Sequence, residues 1–495
     1  MNDSSSLKRK AISGLLWSST DLIANQGIQF FIQIILARLL LPEHFGLIGM
    51  ILIFISISNS IIDSGFTQAL IKEKNPGQDD YSTVFYFNLL LAFLIYMVLF
   101  ISSEAISSFF GEPQLISILR ILSLVLIINS FGIIQRAILI KNVDFRSQTK
   151  INIIAGTVSG MVAIVFALFG FGVWSLVLKS LSMQFIQTLL LWFNNKWIPS
   201  FVFSVKSFKK LFGFGSKLLI SGLIDTLYNN LYFVIIGKFF TASQLGYYTN
   251  AVKLRDVASQ SITTSVQRVT YPVLSKIQGD EEKLKYGYRK VIKTTTFIIF
   301  PFMLGLAAIS SPLIYSLLGD KWMPSVKYLQ LLCIAGMLYP LHAINLNILQ
   351  VKGRSDLFLV LELLKKLILT ILIILVLWLK LGVIGLIWGT VLHSFIALFI
   401  NTYFSAREIS YSVKEQLKDI TPIFLISIFM AGIVYYVGLL LSGSNLITMI
   451  FQIGIGILLY ICFSKIARVQ ELNTLYSLIK PLIKKILFNL HLIKS

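Results

Sequence analysis

The chain of 495 residues is 56% hydrophobic, carries a formal net charge of +21 and holds two cysteines. A mean hydropathy of +0.81 means more apolar surface than a soluble core of this length can hide, which excludes a water-soluble globular chain and places this one in a bilayer. Cys333 and Cys462 fall on separate apolar runs, so a disulfide framework and a thiolate metal site are excluded as well.

A membrane-spanning helix needs about 20 mostly apolar residues, and about fourteen such segments follow one another. They lie near 13–36, 45–68, 81–102, 113–138, 148–169, 171–193, 209–236, 244–271, 288–309, 325–350, 356–378, 381–404, 420–441 and 446–465. The fold class is therefore an all-α polytopic membrane protein. The first segment follows Lys8, Arg9 and Lys10 as a signal peptide would. It is too long for one and no small-residue cleavage site follows it, so it is expected to be a retained span.

The large positive charge would suggest nucleic acid in a soluble protein, and its distribution decides otherwise. Every second connection is basic: Lys72 and Lys74; Lys141, Arg146 and Lys150; Lys196, Lys206, Lys209 and Lys210; then the stretch from Lys276 to Lys293. Nearly all Lys and Arg outside the spans lie on this one side, the positive-inside pattern, which places both termini in the cytoplasm. No basic patch is interleaved with base-stacking aromatics, so no nucleic-acid partner is expected. Membrane lipids are.

The first and seventh spans carry polar stripes. Asp21, Asn25, Gln29 and Gln33 recur every four residues and stack on one helix face, as do Lys217, Ser221, Asp225 and Asn229. Polar groups stacked inside hydrocarbon need water or partners, so both helices are expected to line a wet cavity. Aligned without a gap, 10–50 and 210–250 pair Lys10 with Lys210, Asn25 with Asp225, Gln29 with Asn229, Arg38 with Lys238 and Gly46 with Gly246. An even number of spans separates the copies, so they form parallel repeats. The expected organisation is a six-helix lobe at 1–193, a cytoplasmic linker at 194–208, a second six-helix lobe at 209–404, two further helices at 405–465, and an amphipathic cytoplasmic tail at 466–495.

Ionisable groups inside spans are costly, and each is a functional candidate. Arg136, Lys217, Arg268, Lys365 and Lys366 fall in the cytoplasmic halves of their spans; Arg120, Lys179, Lys253 and Arg255 fall towards the outer side. Such a basic path suits a diphosphate, because Arg and Lys replace the water that a phosphate loses on leaving solvent. The cavity walls are expected to be Asp21, Asn25, Gln29, Asp225 and Asn229, and the head-group contacts Lys217, Arg255, Arg268 and Lys365. The alternatives are that Arg136 and Arg268 snorkel to the headgroups, that Glu362 pairs with Lys365 or Lys366, and that Asp256 pairs with Lys253. Asp21 and Asp63 lie at similar depth and are candidates to hold a coupling H⁺ or Na⁺, or else to hydrogen-bond their neighbours. No cofactor is expected. The run Gly213-Phe214-Gly215-Ser216-Lys217 follows no strand and reads as close packing rather than as a nucleotide loop.

The loop Ala37-Arg38-Leu39-Leu40-Leu41-Pro42-Glu43-His44-Phe45-Gly46 resembles the signature of Wzx-type polysaccharide flippases, exporters of the multidrug/oligosaccharidyl-lipid/polysaccharide superfamily. Gly65-Phe66-Thr67-Gln68, Gln135-Arg136-Ala137, Gly170-Phe171-Gly172-Val173-Trp174, Leu245-Gly246-Tyr247-Tyr248, Pro272-Val273-Leu274-Ser275 and Gly319-Asp320-Lys321-Trp322 are similar to further landmarks of that family, in the same order. The resemblance implies a V-shaped pair of lobes, alternating access, and no enzymatic activity. It implies an undecaprenyl-diphosphate-linked oligosaccharide as cargo, flipped outward across the bacterial cytoplasmic (inner) membrane for lipopolysaccharide or exopolysaccharide synthesis. It also implies a cationic cavity, an ion gradient as driving force, and a polymerase and chain-length regulator as pathway partners. A cation-coupled exporter of small molecules predicts an acidic cavity instead. A glycan polymerase or ligase would need a large outer loop.

Overall fold

Long runs of Leu, Ile, Val and Phe close their backbone hydrogen bonds within one segment, which hydrocarbon demands. The computed structural model is accordingly helical, with no strand among the described residues. It describes residues 24–441 and 443–474, with positions 17, 476, 477 and 480; Lys217, Ala258 and Val269 are described by backbone alone. Asp21, the Lys217 side chain and most of the expected tail lie outside the described residues.

In chain order the helices are α1 (24–39), α2 (Pro42–Asp63), α3 (Phe66–Lys72), α4 (Gln78–Phe110), α5 (Leu115–Leu122), α6 (Leu124–Lys141), α7 (Phe145–Leu168), α8 (Val173–Asn194) and α9 (Val205–Phe239). There follow α10 (Ala242–Lys276), α11 (Glu281–Ala308), α12 (Ser310–Leu318), α13 (Ser325–Gly336), α14 (Tyr339–Val351), α15 (Ser355–Trp378), α16 (Gly382–Ile409), α17 (Val413–Leu440) and α18 (Asn445–Ile466). Among the described residues, 11 segments are long and apolar enough to cross a membrane, and each coincides with an expected span. The other three expected spans are α1, α10 and α15. Sixteen residues of α1 are described, while Lys253, Arg255, Asp256 and Arg268 dilute α10, and Asp356, Glu362, Lys365 and Lys366 dilute α15.

Three expected spans are broken rather than continuous. The second divides at Ser64 and Gly65, whose φ angles of 45° and 69° are left-handed, a conformation glycine adopts at little cost. The absence of a side chain at Gly65 has a second use. A Cβ there would stand 2.5 Å from the Gly215 carbonyl oxygen, and one on Gly215 would stand 2.5 Å from the Ser64 carbonyl oxygen. Gly215 is thus a close-packing position, while Gly213 has open space around it. The fourth span divides at Ser123 and the tenth at Met337 and Leu338. These two hold corresponding places six spans apart, the repeat signature of discontinuous transporter helices.

Backbone angles report the repeat more sharply than residue identity does. Positive φ occurs at Val143 and Gly353, at Gly170 and Lys380, and at Gly172 and Gly382, each pair 210 positions apart. The gap-free offset of 200 holds only around the first crossing, where it is met in space. A Cβ on Gly46 would stand 1.8 Å from the Ala242 carbonyl oxygen; one on Gly246 would stand 1.9 Å from the Pro42 carbonyl oxygen. Position 46 meets 242 and position 246 meets 42, so the first turns of α2 and α10 touch reciprocally, backbone on backbone.

The chain forms two compact units, residues 1–249 and 250–495. In the first, α9 packs along α2, α3 and α4, and α8 packs on α6 and α7. Phe66, Leu70, Val84, Phe85, Ile134 and Leu211 form a core cluster under Phe208, Phe212, Trp192 and Trp197. The α8–α9 connection is pinned over it. The Trp197 indole donates to Gln78 Oε1 at 2.7 Å, Gln135 Nε2 donates to the Trp197 carbonyl at 3.0 Å, and the Ser204 amide donates to Thr83 Oγ1 at 2.9 Å. Ser204 then caps α9 by accepting from the Ser207 amide at 3.2 Å. In the second unit α11 packs on α17, α13 and α14, and α16 packs on α13, α14 and α15.

Candidate functional site

In the first unit a belt of carboxamides crosses four helices. Asn129 Nδ2 on α6 donates to Asn59 Oδ1 on α2 at 2.9 Å, and Gln184 Nε2 on α8 donates to Asn129 Oδ1 at 3.0 Å. Gln187 Nε2, one turn further along α8, donates to Asn152 Oδ1 on α7 at 2.7 Å. Its Oε1 accepts from the Arg136 guanidinium of α6 at 3.5 Å. Each of these six side chains is half-buried, so the belt is bonded within itself and still partly accessible. Asp63 is near enough for its charge to act on Arg136. Its carboxylate also accepts from the Thr67 hydroxyl across the α2–α3 break.

From α1, Asn25 and Gln29 reach α7 at Gly156, where a Cβ would stand 2.9 Å from Gln29 Nε2. Asn25 Oδ1 and Gln29 Nε2 are buried without a hydrogen-bond partner among the described residues. A carboxamide both donates and accepts, as a sugar hydroxyl does, and a guanidinium binds phosphate oxygens in a fork. The belt has the chemistry of a wall for a polyhydroxylated, anionic head-group.

The second unit holds a buried polar network. The Arg255 side chain donates to Asp256 Oδ1 at 2.8 Å from Nε and to the Tyr339 hydroxyl at 3.0 Å. It lies flat against Gly336, where a Cβ would stand 2.9 Å from its Cγ. The Arg255 side chain thus braces the α13–α14 break. Lys365 Nζ donates to Glu362 Oε1 at 2.6 Å, one turn back on α15, and the Lys365 carbonyl meets His393 Nε2 of α16 at 3.0 Å.

The expected site residues divide accordingly. Asn25 and Gln29 lie in the first unit against α7. Asp225 and Asn229 stand exposed on α9, whose Thr226 hydroxyl meets Ser60 on α2 at 3.1 Å. Arg268 is exposed on α10, whereas Arg255 and Lys365 are 8% exposed and each faces a carboxylate. In this arrangement a diphosphate would have to displace Asp256 or Glu362 to reach them. Asp256 takes Arg255, its neighbour in sequence, where Lys253 was the expected partner; the Glu362–Lys365 pair is as expected. Sequence reasoning missed Asn59, Asn129, Asn152, Gln184 and Gln187. The available signal was their occurrence as carboxamides inside apolar spans, with Thr188 one turn after Gln184.

Eleven apolar spans among the described residues, helices broken in corresponding places and a half-buried carboxamide belt shared by four helices define an integral multi-pass membrane protein with the architecture of a transporter. Residues 35–327 match the family model described as polysaccharide biosynthesis protein, and the chain belongs to that family. It is similar to the teichuronic acid biosynthesis protein TuaB of Bacillus subtilis (strain 168), with 27% identity over 71% of this chain and 73% of that one. It is also similar to the lipopolysaccharide biosynthesis protein WzxC of Escherichia coli (strain K12), with 27% identity over 71% and 72% of the two chains. Its fold is that of the lipid II flippase MurJ in an inward closed conformation, at a TM-score of 0.74 and 18% identity, covering 92% of this chain and 98% of that one.

Proposed function

We propose that the chain is a flippase, not an enzyme, that carries a lipid-linked oligosaccharide across the bacterial cytoplasmic membrane for surface polysaccharide synthesis. Membership of a polysaccharide biosynthesis family by a chain made almost wholly of spanning helices carries this reading. Polysaccharide synthesis needs a membrane step that moves a large polar head through hydrocarbon, and such a fold supplies a path for it. The carboxamide belt suits the sugars, and Arg136 suits the diphosphate that joins them to an undecaprenyl chain. Arg255, Lys365, Lys217 and Arg268 are the further cations of the path, the first two becoming available as their carboxylate partners move in an alternating-access cycle.

The lobes at 1–193 and 209–404 are the proposed moving bodies, with both termini cytoplasmic. An H⁺ or Na⁺ gradient, taken up at Asp21, Asp63 or elsewhere, drives the cycle. A polymerase and a chain-length regulator would act on the delivered product.

The test is the lipid-linked glycan pool of a strain deleted for the gene, with its membrane side read by an impermeant lectin or glycosidase. Intact oligosaccharide-lipid trapped on the cytoplasmic face, with surface polysaccharide lost, is the expected result. Single repeat units accumulating on the outer face would instead indicate a polymerase or ligase, and an unchanged pool would indicate an exporter of small molecules.

A further inference from the structure

The connection from α8 to α9 reads Asn195-Lys196-Trp197-Ile198-Pro199-Ser200-Phe201-Val202-Phe203-Ser204. A linker lying in water has no use for so many large apolar side chains, and a core would bury them. Here Ile198, Val202 and Phe203 are exposed, and Phe201 is 98% exposed. Contiguous apolar surface of this kind marks a place where something other than water is met. The segment is not loose, because α4 holds it at four successive points.

Gln78, Ser82 and Tyr86 stand on one face of α4 at four-residue spacing. Gln78 accepts from the Trp197 indole and donates to the Ile198 carbonyl, each at 2.7 Å. Ser82 Oγ lies 3.0 Å from Ser200 Oγ and accepts from the Ser200 amide at 3.1 Å. The Tyr86 ring stacks with the Phe201 ring at a centroid distance of 6.1 Å. Between Ile198 and Phe201 the chain therefore travels two turns along α4, about 12 Å. It then doubles back, and the Ser204 amide meets Thr83.

The same face of α4 continues as Leu90, Phe93, Met97 and Ile101, all exposed, and on a spanning helix such a stripe faces acyl chains. Seventeen residues without a charge separate Tyr86 from Glu104. They make about 26 Å of helix, close to the hydrocarbon thickness of about 30 Å. Tyr86 and Phe201 therefore lie at one boundary of the hydrocarbon, where aromatic side chains collect. The charge beside them is basic, for the chain has no carboxylate between Asp144 and Asp225. Lys196, Lys206 and Lys209 are exposed and pair with no carboxylate among the described residues, while Lys210 takes Glu73 at 2.7 Å. Of the two acids that open α4, Asp80 accepts from the Gly77 amide at 2.9 Å and Asp79 is exposed.

We infer that residues 197–203 form a membrane wedge seated in the leaflet on the basic side, with Phe201 among the acyl chains and Lys196, Lys206 and Lys209 against anionic phospholipid headgroups. Buried apolar side chains and cations at the surface are the two signals that together hold a segment on a membrane. The connection is then a strut fixed to α4 and to lipid, in place of a linker free in water. It would be so whatever the chain transports.

The test uses the full chain in lipid nanodiscs, with a fluorophore on Phe201→Cys in a Cys462→Ala background that keeps only the buried Cys333. Phe203→Cys is a second reporter should the first variant fail to fold. The discs carry a small fraction of phosphatidylglycerol or phosphatidylcholine bearing a nitroxide high on one acyl chain, which quenches only at short range. Strong quenching is expected, with the phosphatidylglycerol about fivefold or more the better quencher, fivefold being the enrichment one surface lysine gives an acidic lipid. Combining Lys196→Gln, Lys206→Gln and Lys209→Gln should bring that ratio towards one and leave quenching by phosphatidylcholine in place. The same label on Gly279→Cys, exposed in the α10–α11 connection, should escape both lipids. A label at 201 quenched no more than the one at 279, or equally by the two headgroups, would overturn the proposal.

Discussion

The reciprocal glycine crossing makes a prediction that ordinary packing does not. In Gly46→Ala the new methyl would stand 1.8 Å from the Ala242 carbonyl oxygen and 2.6 Å from its carbon, where about 3.4 Å is the closest comfortable approach. The helix starts must therefore part by about 1.5 Å. The obstructing atoms are backbone and cannot swing aside, so the cost falls at the upper end of the overpacking range, about 3 kcal/mol. Gly246→Ala meets the Pro42 carbonyl in the same way, at 1.9 Å. One separation relieves both clashes. The double variant should then cost about 3 kcal/mol and not about 6 kcal/mol, a coupling of about 3 kcal/mol between residues 200 positions apart. The assay is the apparent Tm of the purified chain in detergent for the two single variants and the double. Gly222→Ala on α9, with open space around it, is the control, expected to gain up to about 1 kcal/mol from helix propensity. Additive shifts, or no loss in either single variant, would refute the reciprocal contact.

Three further outcomes are expected. Val143 holds φ 58° where its counterpart Gly353 holds φ 73°, so Val143→Gly should raise the apparent Tm, whereas Gly353→Val should cost about 1–3 kcal/mol. Glu362→Gln leaves the buried Lys365 ammonium without its carboxylate and should cost about 3 kcal/mol, the lower end for a buried pair because Glu362 is partly exposed; pairing it with Lys365→Met should recover most of the loss by the same measurement. Gln187→Leu removes the bonds to both Asn152 and Arg136, and should leave the protein inserted and abundant while weakening export about fivefold, one neutral hydrogen bond to the cargo being worth about 1 kcal/mol; unchanged surface glycan in that strain would remove the belt from the path.

Spans are legible in this chain because hydrocarbon imposes a simple rule of length and apolarity, and α4 or α16 obeys it without ambiguity. Breaks obey no such rule. Ser64 and Gly65 offer a glycine as a sign, but Ser123 lies between Ile, Leu and Val, and Met337 and Leu338 look like helix interior, so tertiary contacts such as the Arg255 stem on Gly336 decide them. Pairing was legible at helical spacing, as for Glu362 and Lys365. It was not legible for Arg255, whose carboxylate is one residue away and whose hydroxyl partner Tyr339 is 84 residues away. The polar stripe of the first span put Asn25 and Gln29 on one helix face, and both side chains meet α7 at Gly156. The carboxamide belt was not legible because its members are scattered one or two to a helix over α2, α6, α7 and α8, and only the packing of those helices brings them together.

The crossing at Pro42, Gly46, Ala242 and Gly246 has one more consequence. A contact in which i touches j while j touches i is the pattern by which two identical subunits meet across a dyad, the isologous interface of a C2 dimer. Here the partners are two stretches of one polypeptide, and the ten-residue connection 195–204 does the work that mass action does for separate subunits. A half-length chain beginning at α1 would carry the same self-complementary face, with its association set by concentration instead of by a tether.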